Sequence, residues 1–230
     1  MSIAEKFEVI ADEVYEKGKE YIWDVVQQGG TRKDYSMAFY LWDIDYIRPK
    51  YKITPTDVAS GNQTFYKCKI KKIEKEYFDF SQKPYGTSGT HGWYYTFSTC
   101  TNLEEIPDIG MQAAINYSYC FSWSGKLHTI EVIRCDKGTT WNGAFTSCNN
   151  LQNITIEGTI GQNNFNVKDC KKLTVASLLS ILTALSKDSS IATGKSITFS
   201  TVHKDIIEGD AECLEQYNLA ISAGWEFLYA

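Results

Sequence analysis

No apolar run in this chain approaches the roughly 20 residues that span a bilayer, and its first residues lack the basic-then-apolar order of a secretory leader. Membrane insertion is not expected, and the chain as written reads as a product of the cytoplasm. A basic stripe is missing too. The longest candidate, Lys67-Cys68-Lys69-Ile70-Lys71-Lys72, runs at once into Glu74 and Glu76, and the net charge is −5. A nucleic-acid partner is excluded on that ground, because displacing counterions from phosphate takes clustered positive charge. The seven cysteines are separated by 32, 20, 15, 13, 22 and 43 residues. With no C-x-x-C pair there is no zinc chelate, and an odd number cannot be fully disulfide-paired in a monomer. Histidine is scarce, and His91, His128 and His203 are scattered as surface or satisfied core side chains would be. No metal and no cofactor are expected.

Enzyme signatures are absent as well: no G-x-S-x-G, no phosphate-binding glycine loop and no H-E-x-x-H. Asp43 and Asp45 alternate within Trp-Asp-Ile-Asp-Tyr, but they read as a polar face over an aromatic core rather than as a glycosidase pair. Glu104 and Glu105 are adjacent and would point to opposite faces of a strand, unlike an acid–base pair. No catalytic residue is assigned. Three sequons, at Asn62, Asn116 and Asn153, carry no weight without evidence of secretion.

What the chain does have is an ordinary globular balance, 43% hydrophobic and 22% charged, with an excess of aromatics at 14%. That excess suits an interaction surface as well as a core. Residues 2–28 read as one amphipathic helix, opened by a Ser2/Glu5 capping pair and stopped by Gly29-Gly30. Ile3, Phe7, Ile10 and Val14 fall on one face. This helix either packs on its own domain or acts as a docking or self-associating seam. Residues 31–61 are aromatic and irregular, as expected of a cap over the open end of a repeat array.

From residue 92 the chain repeats itself. Phe97-Ser-Thr-Cys100-Thr-Asn-Leu103-Glu-Glu-Ile106 aligns with Phe145-Thr-Ser-Cys148-Asn-Asn-Leu151-Gln-Asn-Ile154. Between them lies Phe121-Ser-Trp-Ser124-Gly-Lys-Leu127-His-Thr-Ile130, with serine in the cysteine column. Val167-Lys-Asp-Cys170-Lys-Lys-Leu173 follows, and Phe65-Tyr-Lys-Cys68 begins a shortened earlier copy. Trp93, Tyr117 and Trp141 form a further column, 24 residues apart. A period in the twenties means a solenoid whose units each bury one apolar edge against the next. Leu127-x-x-Ile130-x-Val132 and Leu151-x-x-Ile154-x-Ile156 predict short strands that pair in parallel. The F-x-x-C half predicts a helical or 3₁₀ turn, and its cysteines a column of buried small groups. Beyond residue 176 a helix over 175–185, an alternating 197–199, a helix over 210–223 and a strand over 225–229 predict a cap that continues the same sheet.

F-x-x-C-x-x-L-x-x-I at a period of 22–24 resembles the BspA-like leucine-rich repeat family across residues 92–176 and faintly across 62–80. Residues 154–167, 173–185 and the terminal Ala-Gly-Trp225 resemble the C-terminal module of such proteins encoded by gut bacteria and their (pro)phages. The first six residues and residues 43–52 resemble the leader of that group. The resemblance implies an α/β solenoid with one parallel sheet, an N-terminal amphipathic helix (1–30), an N-terminal cap (31–61), repeats (62–176) and a helix–strand C-terminal cap (177–230). It also implies a non-catalytic role in adhesion or host recognition. The expectation is a virion component of a phage, made in the host cytoplasm, that binds a host-surface glycan or protein. It would dock on other virion proteins, or on its own copies, through Ile3, Phe7, Ile10 and Val14. A bacterial adhesin, a virion decoration or connector protein, and a glycan-cutting tailspike are the alternatives. By alternation from Ile106, Ile130 and Ile154, the ligand-binding residues would be Glu105, Pro107, Thr129, Glu131, Asn153 and Thr155.

Overall fold

The computed structural model describes residues 20–23, 38–49, 52–56, 61–83, 92–136, 138–162, 164–187 and 194–230. Ile3, Phe7, Ile10 and Val14 lie outside them, as does His91. Residues Glu20–Trp23 form a strand, β1, parallel to β2 (Tyr46–Pro49), so a single helix does not run from 2 to 28. The run Tyr21-Ile22-Trp23 is aromatic and β-branched, which favours an extended backbone once a partner strand is offered.

The centre of the chain is a stack of repeats. Phe39, Phe65, Phe97, Phe121 and Phe145 form one ladder of rings, each parallel to the next at centroid separations of 5.1, 5.2, 6.1 and 5.4 Å. All five are 0–1% exposed. Beside them Tyr117 stacks on Trp141 at 4.9 Å, and Trp93, Tyr117 and Trp141 are fully buried. Each ring pair is worth about 0.5–1.5 kcal/mol beyond the area it buries. Among the described residues the ladder starts at Phe39, inside the stretch assigned to an N-terminal cap, and Phe39 and Leu41 donate to Thr64 O and Tyr66 O of the next repeat as later repeats do.

The F-x-x-C half is neither α-helix nor 3₁₀. Phe97 and Thr99 donate their N–H groups across to Cys120 O and Ser122 O of the following repeat, while Ser98 and Cys100 donate back to Tyr95 and Phe97. Alternate amides thus serve the neighbour and the local turn. The zigzag needs left-handed residues four apart, and Gln63/Lys67, Tyr95/Thr99, Tyr119/Trp123 and Gly143/Ser147 all have positive φ. Seven non-glycine residues there accept a conformation that costs of order 1 kcal/mol each, because the inter-repeat bonds hold them in it.

Among the described residues the expected single sheet is instead three small parallel ones: β1–β2, then β3 (Glu105–Ile106), β4 (Thr129–Cys135) and β5 (Asn153–Gly158), then β6 (Lys195–Phe199) with β7 (Trp225–Tyr229). The middle sheet ends at β5 because helix α1 (Val175–Ser186) takes the next place. Ser177 and Ser180 accept the N–H groups of Ile154 and Ile156 at 2.9 and 2.8 Å, which closes the edge. Strand β6 extends the ladder on the other side, where Val167 donates to Thr198 O. The C-terminal unit therefore does not prolong the strand sheet. It also contains a helix the periodicity did not suggest, α2 (Thr201–Gly209), before α3 (Ala211–Ser222). Among the described residues no helix is long and apolar enough to cross a membrane.

Candidate functional site

The six residues expected to carry binding converge on the middle sheet. Ile106, Ile130 and Ile154 pair in register and are buried, so their neighbours Glu105, Thr129 and Asn153 form a row on the opposite face. Glu105 and Asn153 are exposed and Thr129 is half-buried. Asn153 Nδ2 donates to Thr129 Oγ1 at 3.3 Å, and the His128 imidazole meets the same hydroxyl at 3.0 Å and Glu105 Oε1 at 4.0 Å.

The second row is less regular. Thr155 and Glu131 are exposed, but the register slips between Ile130 and Ile133, so Ile133 rather than Val132 opposes Ile156. The bulge turns both Val132 and Ile133 inward. Pro107 is half-buried and lies just past the end of β3, where its missing N–H stops the pairing. Glu131 is partly engaged, since its carboxylate accepts from Asp108 N at 2.8 Å. Two shallow clefts flank the rows. One of about 240 Å³ is lined by Glu105, Pro107 and Glu131 with Lys72 and Lys75. The other, of about 180 Å³, is lined by Thr129, Glu131, Asn153 and Thr155 with Thr174 and Ser177.

A charged clamp closes the far end of the face. The Arg134 guanidinium holds Asp108 by two 2.8 Å bonds and Glu157 through Nε at 3.0 Å, joining three successive repeats. The hydrogen bonds from Arg134 pull the Asp108 carboxyl down to about 2. The face therefore offers fixed carboxylates, hydroxyls and amides for hydrogen bonding.

The other candidates separate. Asp45 is buried against Lys71 Nζ at 2.6 Å while Asp43 is exposed, so the two carboxylates share no site. All seven cysteines are buried free thiols. Burial pushes Cys68, Cys135 and Cys148 up to about 12, which removes them as nucleophiles. His203 is fully buried, with Nε2 at 3.0 Å from Cys170 O, and burial lowers its pKa. Among the described residues no group of three or more metal-ligating side chains could hold an ion.

One feature escaped the sequence reading. Tyr40, Tyr66, Tyr95 and Tyr119 form a second, half-exposed column of rings at 5.4, 5.2 and 4.8 Å, and Tyr119 is followed by exposed Trp123 at 6.1 Å. The signal was available in Tyr95-x-Phe97 and Tyr119-x-Phe121, again 24 residues apart.

Residues 93–192 match the BspA type leucine-rich repeat region, in six copies. No curated protein and no solved structure matches the chain.

Proposed function

We propose that this chain, built around a BspA-type leucine-rich repeat region, is a non-catalytic recognition protein that holds a host-surface glycan or protein across its β3–β4–β5 face. The observation that carries the reading is the row Glu105–Thr129–Asn153, three polar side chains in register over a buried isoleucine row. Such a face can vary its chemistry without disturbing the core, which is the property a recognition surface requires. Its clefts are shallow and open, suited to an extended ligand rather than to an enclosed reacting group. The finer reading, a component of a phage virion, rests on the likeness of residues 154–167 and 173–185 to the C-terminal module of gut-bacterial and (pro)phage repeat proteins. Docking through Ile3, Phe7, Ile10 and Val14 belongs to the same proposal.

The test is retention of labelled protein on intact gut-bacterial cells. The combined variant Glu105→Ala, Glu131→Gln, Thr155→Ala is expected to lose most of that binding with a nearly unchanged melting temperature. Glutamine at 131 keeps the bond to Asp108 N, so stability is spared. Equal retention of the variant and the parent would refute the face.

A further inference from the structure

A cleft of about 410 Å³ opens on the turn side of the repeats, and none of its walls belongs to the β3–β4–β5 face. It exists because a column of side chains stops. Gln63, Tyr95 and Tyr119 occupy the same left-handed position in successive turns, and the next occupant is Gly143, at φ +63°. Tyr119 stacks on Tyr95 of the preceding repeat at 4.8 Å and 18°, lies parallel to Trp123 at 6.1 Å, and has Gly143 of the following repeat close against its ring. A Cβ at 143 would lie 2.5 Å from Tyr119 Cε1, so glycine is what lets the ring settle there. Gly143 adds no side chain of its own, and the space beside it is open.

The walls of that space are mostly polar, with Phe145 and Phe165 among them. Asn164 Oδ1 accepts from Trp141 N–H at 2.9 Å, and Asn166 Oδ1 accepts from Lys168 N–H at 3.0 Å. Backbone N–H groups fix the oxygen end of both carboxamides, which leaves their NH₂ ends as the donors. Asp169 is likewise oriented, its Oδ2 accepting from Ser147 N–H at 2.8 Å. Exposed Asn142 completes the lining. Charge is balanced, with one lysine and one aspartate side by side.

We propose that this cleft is a second binding site, for a neutral carbohydrate. Tyr119 gives the wall some aromatic surface for the C–H groups of a pyranose ring, and carboxamides held in one orientation match ring hydroxyls and acetamido oxygens. The volume falls within the roughly 300–1,000 Å³ of small-ligand sites. An anionic ligand would call for net positive charge, which the cleft lacks, and a purely apolar anchor would leave its amides unpaired. The site stands apart from the strand face, so either can fail alone.

Amide shifts of the full chain, followed by NMR during titration with maltohexaose, chitohexaose and mannohexaose, test the assignment. At least one oligosaccharide is expected to shift Asn142, Thr146 and Asn166, with a Kd on the order of 1 mM or tighter. Tyr119→Ala should weaken that binding about tenfold or more. Asn142→Ala, at an exposed position outside the core, should weaken it severalfold and keep the fold. Silence with all three sugars would overturn the proposal. So would shifts confined to Thr129 and Asn153, or binding by both variants as tight as by the parent.

Discussion

At the level of single residues, the cysteine column shows what a repeated position is for. Cys100 Sγ donates to Phe65 O at 2.9 Å, Ser124 Oγ to Phe97 O at 2.7 Å, and Cys148 Sγ to Phe121 O at 3.1 Å. Each reaches the carbonyl of the ladder phenylalanine one repeat earlier. The column therefore requires a small side chain that can donate, and serine fits it as well as cysteine does. Smallness and burial were legible from the sequence; the bond was not, because its acceptor lies in another repeat. Cys148→Ser should accordingly keep most of the stability, whereas Cys148→Ala leaves a buried carbonyl unmet and should cost about 1–3 kcal/mol. Urea denaturation of the two variants compares them directly, and equal losses would mean that volume alone matters.

Among elements, the strands and their endings divide the credit differently. The alternation that predicted outward Thr129, Glu131, Asn153 and Thr155 follows from the two-residue period of a strand, a local property. The slip at Val132 and the arrest of the sheet at β5 are not local. The first comes from pairing Ile133 with Ile156, the second from Ser177 and Ser180 of α1 occupying the edge. Strand β5 closes on Gly158 at φ +113°, where a Cβ would lie 1.9 Å from Cys135 O. Gly158→Ala thus combines a disfavoured backbone with a collision against the neighbouring strand, and should lower stability by about 2 kcal/mol or more. A melting temperature within a degree or so of the parent would show that the two strands part there at little cost.

Across the whole molecule, burial of many thiols in one stacked core sets the response to pH. Cys68, Cys135 and Cys148 titrate near 12 in the folded chain against an ordinary 9.0. The folded state holds these protons more tightly than the unfolded state. Their stabilisation is complete below pH 9.0 and is lost as pH rises from there toward 12, by up to about 1.4 kcal/mol per pH unit for each thiol. The unfolding free energy from urea titration should fall by about 1 kcal/mol or more per pH unit between pH 9 and pH 11, and iodoacetamide should label the native chain at pH 8 far more slowly than the unfolded one. A flat free energy, or rapid native labelling, would contradict a thiol core of this kind.

The sequence alone determined the period, the buried columns of Phe, Trp/Tyr and Cys/Ser, and the outward strand residues, because a repeat writes its neighbour contacts as recurring residue types at fixed spacing. Tertiary structure decided the rest. A left-handed turn at Tyr95 or Trp123 has no local preference behind it and exists only through bonds to the next repeat. The strand Glu20–Trp23 forms because β2 lies beside it. The cleft beside Gly143 arises where glycine takes the place that Tyr95 and Tyr119 fill in the two preceding repeats, which becomes visible when the repeats are stacked.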